Sequence, residues 1–102
     1  MKIPLTMNVH GKRWFTKYKW GLRDDNGHPC DGLADKEKRI IWLDHSLKGT
    51  KKDQTYFHEL LHALFSELKI SGTLLTDETE EMIVLNIEEF VFDNFNIRLK
   101  KR

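Results

Sequence analysis

An α+β fold, with a small antiparallel or mixed β-sheet packed on an H-E-x-x-H helix and a second acidic helix, is predicted by three observations. Short alternating or β-branched runs fill the chain up to Leu43. Apolar residues at helical spacing begin only after Thr50, in two segments separated by Ser71-Gly72. Between Tyr56 and Leu68, the first of these segments contains His58-Glu59-Leu60-Leu61-His62. Strands followed by helices, rather than alternating with them, indicate segregated layers.

The 102 residues make a single domain, 1–102, with a modest core. No run approaches the roughly 20 apolar residues of a membrane helix. Met1 to Val9 has no continuous apolar segment of the kind a secretion signal needs. Together with a single cysteine, Cys30, which cannot form an internal disulfide, this leads us to expect a cytoplasmic protein. A formal net charge of +1 gives no strong field of either sign.

From Lys2 to Val9, apolar Ile3, Leu5, Met7 and Val9 alternate with polar residues, and Pro4 marks an edge strand. His10-Gly11 supplies a turn. Arg13 to Trp20 then alternates again, with Trp14, Tyr18 and Trp20 on one face and Arg13, Lys17 and Lys19 on the other. Asp24 to Pro29 is dense in turn formers. A second hairpin follows, with arms near Gly32–Ala34 and Arg39–Leu43, and its later arm leads toward the motif helix as the expected docking edge for a peptide.

Thr50 with Asp53 reads as a capping box that starts the first helix near Lys51, and the helix should end near Ile70. Its apolar stripe is Phe57, Leu61, Leu64 and Leu68, with Leu60 and Phe65 at the edges. The second helix opens at Thr76 or Asp77, with Glu80 as capping partner, and runs to about Asn94. Its expected core face is Ile83, Val84, Ile87, Phe90 and Val91. Met82, Leu85 and Phe92 fall off that face and suggest a second contact, with the sheet or with another subunit. Arg98 to Arg102 forms a basic tail.

Residues four apart share a helix face, so His58 and His62 present two imidazoles to one point, as a zinc site requires. Glu59, between them, is rotated to the flank, where a carboxylate can act as general base toward an activated water. Zinc in hydrolases takes three protein ligands, and the candidates for the third are Glu80 and Glu81. On the helical wheel Glu80 shares the inward side with Val84, Ile87 and Val91, whereas Glu81 is turned by about 100°. Glu80 is therefore the expected ligand and Glu81 the alternative. His28 and Cys30 lack partners at a familiar metal-ligand spacing, His10 reads as a turn residue, and His45 as a solvated one.

Arg39-Ile40-Ile41-Trp42-Leu43, then Leu47, then Thr55-Tyr56-Phe57-His58-Glu59-Leu60-Leu61-His62-Ala63-Leu64 resembles the minimal zincin domains of the ImmA/IrrE-type metallopeptidases, including small phage-encoded members. The resemblance covers about Gly32 to Asn94. It implies a gluzincin-like zinc metallopeptidase that cleaves a peptide or protein substrate. His58 and His62 would be zinc ligands, Glu59 the general base, and Glu80 or Glu81 the third ligand. The second helix has no clear E-A-N-x-F-A signature. An alternative of another class is a catalytically idle, zinc-stabilised module that binds single-stranded nucleic acid through the aromatic and basic hairpin Trp14–Trp20.

Overall fold

The computed structural model describes residues 2–95. The predicted basic tail lies outside them. The order of elements is β1 (Thr6–Val9), β2 (Lys12–Lys19), β3 (Gly32–Asp35), β4 (Ile40–Asp44), α1 (Gly49–Glu67) and α2 (Asp77–Asn94). The fold is α+β, with a four-stranded mixed sheet in the order β1-β2-β4-β3. Strand β4 runs parallel to β2 and antiparallel to β3, while β1 and β2 form an antiparallel hairpin. Among the described residues, no helix is long and apolar enough to cross a membrane.

The hairpin turns on His10 and Gly11, both at positive φ (50° and 83°), as a two-residue turn requires. Asn8 accepts the Gly11 N–H at 2.8 Å. Strand β1 is shorter than its alternation suggests. It starts after Pro4, which lacks the N–H needed for a continuing ladder, and Leu5 is exposed. On β2 the inward residues Trp14 and Thr16 are buried while Arg13, Phe15 and Lys17 are exposed. Of the three predicted aromatics, Trp14 is fully buried and Tyr18 half-buried. Trp20 lies beyond the strand end, exposed and stacked on His45 with ring centroids 4.5 Å apart.

Helix α1 covers the inner face of the sheet, and α2 packs on α1. The core joins Val9, Trp14, Ile41 and Leu43 of the sheet to Tyr56 and Ala63 of α1, with Leu60 and Leu64 packed beside them. Taking His58 as zero on the wheel, Tyr56, Leu60, Ala63 and Glu67 cluster about 140–200° away, toward the sheet. His58, His62 and Phe65 occupy the opposite side. This differs from the single expected stripe, because α1 is sandwiched and must bury two sides. Leu68, expected on the stripe, is exposed beyond the helix end.

The helix ends also differ from expectation. Lys48, not Thr50, is the N-cap of α1, and its side chain makes no cap bond. Thr76 caps α2 as expected by accepting the Thr79 N–H at 3.2 Å, but Glu80 turns inward instead of closing a capping box. Phe90, expected in the core, is 61% exposed, since it lies about 120° from the fully buried Val84. Phe92 packs edge-on against Phe57, with centroids 5.6 Å apart, and so joins the two helices. Met82 and Leu85 remain exposed.

A polar clasp ties the sheet to the end of α1. Glu67 accepts the buried Trp14 indole N–H at 2.7 Å and the Arg39 guanidinium at 2.6 Å. The Arg39 hydrogen bond holds the Glu67 carboxyl below its ordinary range, with Trp14 adding to the effect. Replacing Glu67 with Ala should leave the indole donor unpaired and cost about 1–3 kcal/mol, read by urea denaturation near neutral pH. Because the folded-state pKa is lowered, the parent's advantage over Glu67→Ala should hold above the ordinary carboxyl value of 4.5 and fade as pH falls through the lower folded value.

Candidate metal centre

Antiparallel packing of α2 on α1 sets three carboxylates, Glu80, Glu81 and Glu88, around the motif. His58 and His62 face α2 one turn apart, with ring centroids 5.0 Å apart. Their Nε2 atoms meet the two oxygens of Glu81, His58 with Oε1 at 2.7 Å and His62 with Oε2 at 2.8 Å. One ligand atom from each of His58, His62 and Glu81 lies within 4.8 Å of the others, so these residues form a group able to hold a metal ion. It is the one such group among the described residues.

The opposite edges of the rings are held by other carboxylates. Nδ1 of His58 meets Glu88 at 2.8 Å, and Nδ1 of His62 meets Glu80. When each Nδ1–H is donated to its carboxylate, a neutral imidazole carries its lone pair on Nε2. Both lone pairs then face the oxygens of Glu81 at hydrogen-bond distance. Such an arrangement is repulsive unless a proton or a cation lies between, so the donor set fits a bound cation.

Glu80 is the point at which the helical wheel and the structure part. Glu80 does face inward and is buried, but at that depth it meets the Nδ1 edge of His62, accepts the Ser71 hydroxyl and sits 3.9 Å from Lys36 Nζ. Burial alone would raise its pKa. The Ser71 and His62 hydrogen bonds outweigh that and hold it below the ordinary range. The Nε2 atoms point toward the rim of the helix pair, where the position turned by about 100° lies. Glu81, with 47% of its side chain exposed, therefore completes the group that Glu80 was expected to complete.

Glu59 faces the cleft between α1 and β3. With His58, Asp31, Gly32, Lys51, Gln54, Thr55, Leu85 and Glu88 it lines a cavity of about 270 Å³. Burial pushes its carboxyl above the ordinary range, against the pull of His58 and His62. The strand approaches closely here. A Cβ on Gly32 would come within 2.8 Å of Thr55 Cγ2 and 2.9 Å of Glu59 Cγ. Only glycine lets β3 lie this near the motif helix.

The other candidates lie apart. Exposed His28 sits 3.8 Å from Asp24 in its own loop. Cys30 is half-buried near Leu22, Asp44 and Asp31 and belongs to no metal-ligating group among the described residues. His10 is the turn residue expected, and His45 stacks on Trp20. Glu88 is the residue that sequence reasoning missed. Its one available signal was its place two turns beyond Glu81 on the same side of α2. Compared with known proteins, the chain matches no family model, no curated protein and no solved structure.

Titration with Co2+, followed by its visible absorption, should show one site that His58→Ala or His62→Ala abolishes and Cys30→Ser leaves intact. Glu81→Gln should weaken binding more than Glu80→Gln or Glu88→Gln. The latter two remove partners of the ligands and should each cost roughly 10–100-fold in affinity. A larger loss in Glu80→Gln would return the third-ligand assignment to that residue.

Proposed function

We propose that this protein is a zinc-dependent metallopeptidase, gluzincin-like, acting on a peptide or protein substrate in the cytoplasm. The observation that carries the reading is the convergence of His58 Nε2, His62 Nε2 and Glu81, with the desolvated Glu59 on the same helix beside an open cleft. Two imidazoles and one carboxylate are a ligand set that zinc uses in peptidases. When bound, zinc supplies the Lewis acidity that polarises a carbonyl and activates water.

The chain's own residues perform the remaining work. Glu80 and Glu88 hold the imidazoles by their Nδ1 edges and fix which nitrogens are left for ligation. Glu59, whose proton affinity is raised by burial, takes a proton from the attacking water and passes it to the departing amine. The cleft wall formed by Asp31, Gly32 and Thr55 limits water around that carboxylate.

Substrate placement is assigned to β3 rather than to the arm Arg39–Leu43. That arm is β4, flanked on both sides by β2 and β3, so it has no edge to offer. Strand β3 is an edge strand that borders α1 and the cleft, and an extended peptide added to it would run along the cleft that Glu59 lines. Met82 and Leu85, exposed on α2, are the residues left for a contact between subunits, since Phe92 is engaged with Phe57.

Glu59→Gln should keep metal and fold but abolish cleavage of a mixed peptide library, because an amide cannot take the proton. Cleavage equal to the parent's would overturn the assignment of the base. Gly32→Ala should force Thr55 and Glu59 aside, costing about 1–3 kcal/mol of stability. Its loss of cleavage should exceed its loss of metal, measured by elemental analysis of the same preparation.

A further inference from the structure

The two helices lie on one side of the sheet, and the opposite face carries a pattern that hydrolysis does not use. Along β2 that face reads Arg13, Phe15, Lys17 and Lys19, all exposed, with Phe15 42% accessible. On the adjoining β4 it carries Ile40 and Trp42, in the register Phe15↔Ile40 and Lys17↔Trp42. With strands about 4.8 Å apart and about 3.3 Å of rise per residue, Phe15 and Trp42 stand diagonally about 8 Å apart on the two central strands.

Arg13, Lys17 and Lys19 form no ion pair among the described residues. The two acids that share this face, Asp35 and Asp44, stand at the ends of β3 and β4. Each is occupied with backbone N–H groups, Asp35 with Lys38 at 3.0 Å and Asp44 with Leu22 at 2.8 Å. A line of unpaired cations beside two aromatics is complementary to a ligand with a flat apolar part and a regular negative charge. A second copy of the chain fits poorly, since a two-fold contact through this face would oppose the three cations to one another.

We propose that the outer face of β2 and β4 binds single-stranded nucleic acid, with bases stacked on Phe15 and Trp42 and phosphates held by Arg13, Lys17 and Lys19. Stacking on a sheet and cationic tracking of the backbone recognise single strands with little sequence preference. Duplex DNA, whose bases are already stacked, gains nothing from the two rings. This binding is independent of the metal centre, which lies beyond α1 from this face.

The test is fluorescence anisotropy of a labelled oligothymidylate with the intact protein. Three phosphate contacts on a single strand predict a loss of roughly 20-fold between about 50 and 200 mM salt. Phe15→Ala should weaken binding about 5- to 150-fold, Phe15→Tyr should retain it, and Lys17→Glu with Lys19→Glu should remove most of it and flatten the salt dependence. All three positions are exposed, and thermal unfolding of each variant checks that it is folded. Glu59→Gln and metal-stripped protein should bind as the parent does, so failure of the peptidase reading leaves this result standing. Absence of binding at the lower salt, equal affinity of Phe15→Ala, or equal competition by duplex would overturn the proposal. So would a dimer, detected by sedimentation, that Phe15→Ala dissociates while no oligonucleotide binds.

Discussion

The pairing of two imidazoles with carboxylates from α2 is the constraint on which the rest of the structure depends. The apolar seam between the helices is narrow: Val84 is its fully buried member, and Phe92 against Phe57 extends it. Beside that seam stand Glu80, Glu81 and Glu88, opposed by His58, His62 and, for Glu80, by Lys36. The Nδ1 edges bond Glu88 and Glu80 across the helix pair, but the Nε2 lone pairs and the Glu81 oxygens repel unless a proton or a cation lies between them. A positive charge held between Nε2 and Glu81 would convert that repulsion into attraction and would couple docking of α2 to completion of the site. A small domain, with limited apolar surface to bury, has reason to couple them.

The other side of α1 explains why the motif stays fixed when α2 is the more weakly packed partner. Tyr56, Leu60 and Ala63 anchor that side in the sheet, and Glu67 ties its last turn to Trp14 and Arg39. Gly32 then permits β3 to come close enough to bury Glu59 without displacing it. The histidines and the base thus ride on one helix but meet different environments. The rings face acids across the helix pair, and the base faces a strand edge and a cleft.

Much of this was legible in the residues, and the parts that were not share a physical cause. Four-residue spacing placed His58 and His62 on one face, and the flank position of Glu59 followed from the same geometry. The wheel also placed Glu80 inward, which is where it lies. A wheel gives angle but not depth, however, and the choice between Glu80 and Glu81 turns on which edge of His62 the inward carboxylate reaches. Alternation identified the first hairpin and the strand preference of Ile40, Ile41 and Trp42 the second, but neither could reveal that β4 inserts beside β2, since strand order is fixed by long-range pairing. That one feature moved the expected docking edge from β4 to β3. The cap at Thr50 failed for a related reason, because helix starts are set as much by tertiary contacts as by local side chains.

Insertion of β4 between β2 and β3 has a second consequence, which joins the two ends of the molecule. It makes β2 and β4 neighbours at the centre of the sheet, so that Phe15 and Trp42 share a face, and it leaves β3 as an edge beside Glu59. The sheet is then a partition with a cationic, aromatic surface on one side and an acidic cleft on the other. Cations predominate along β2 on the outer face and carboxylates in the cleft, a distribution that a formal net charge of +1 does not reveal. A polyanion on the outer face is kept from the acidic cleft by the thickness of the core, and a peptide along β3 need not displace it. One strand crossing therefore sets both the edge a substrate can use and the face a second ligand can use.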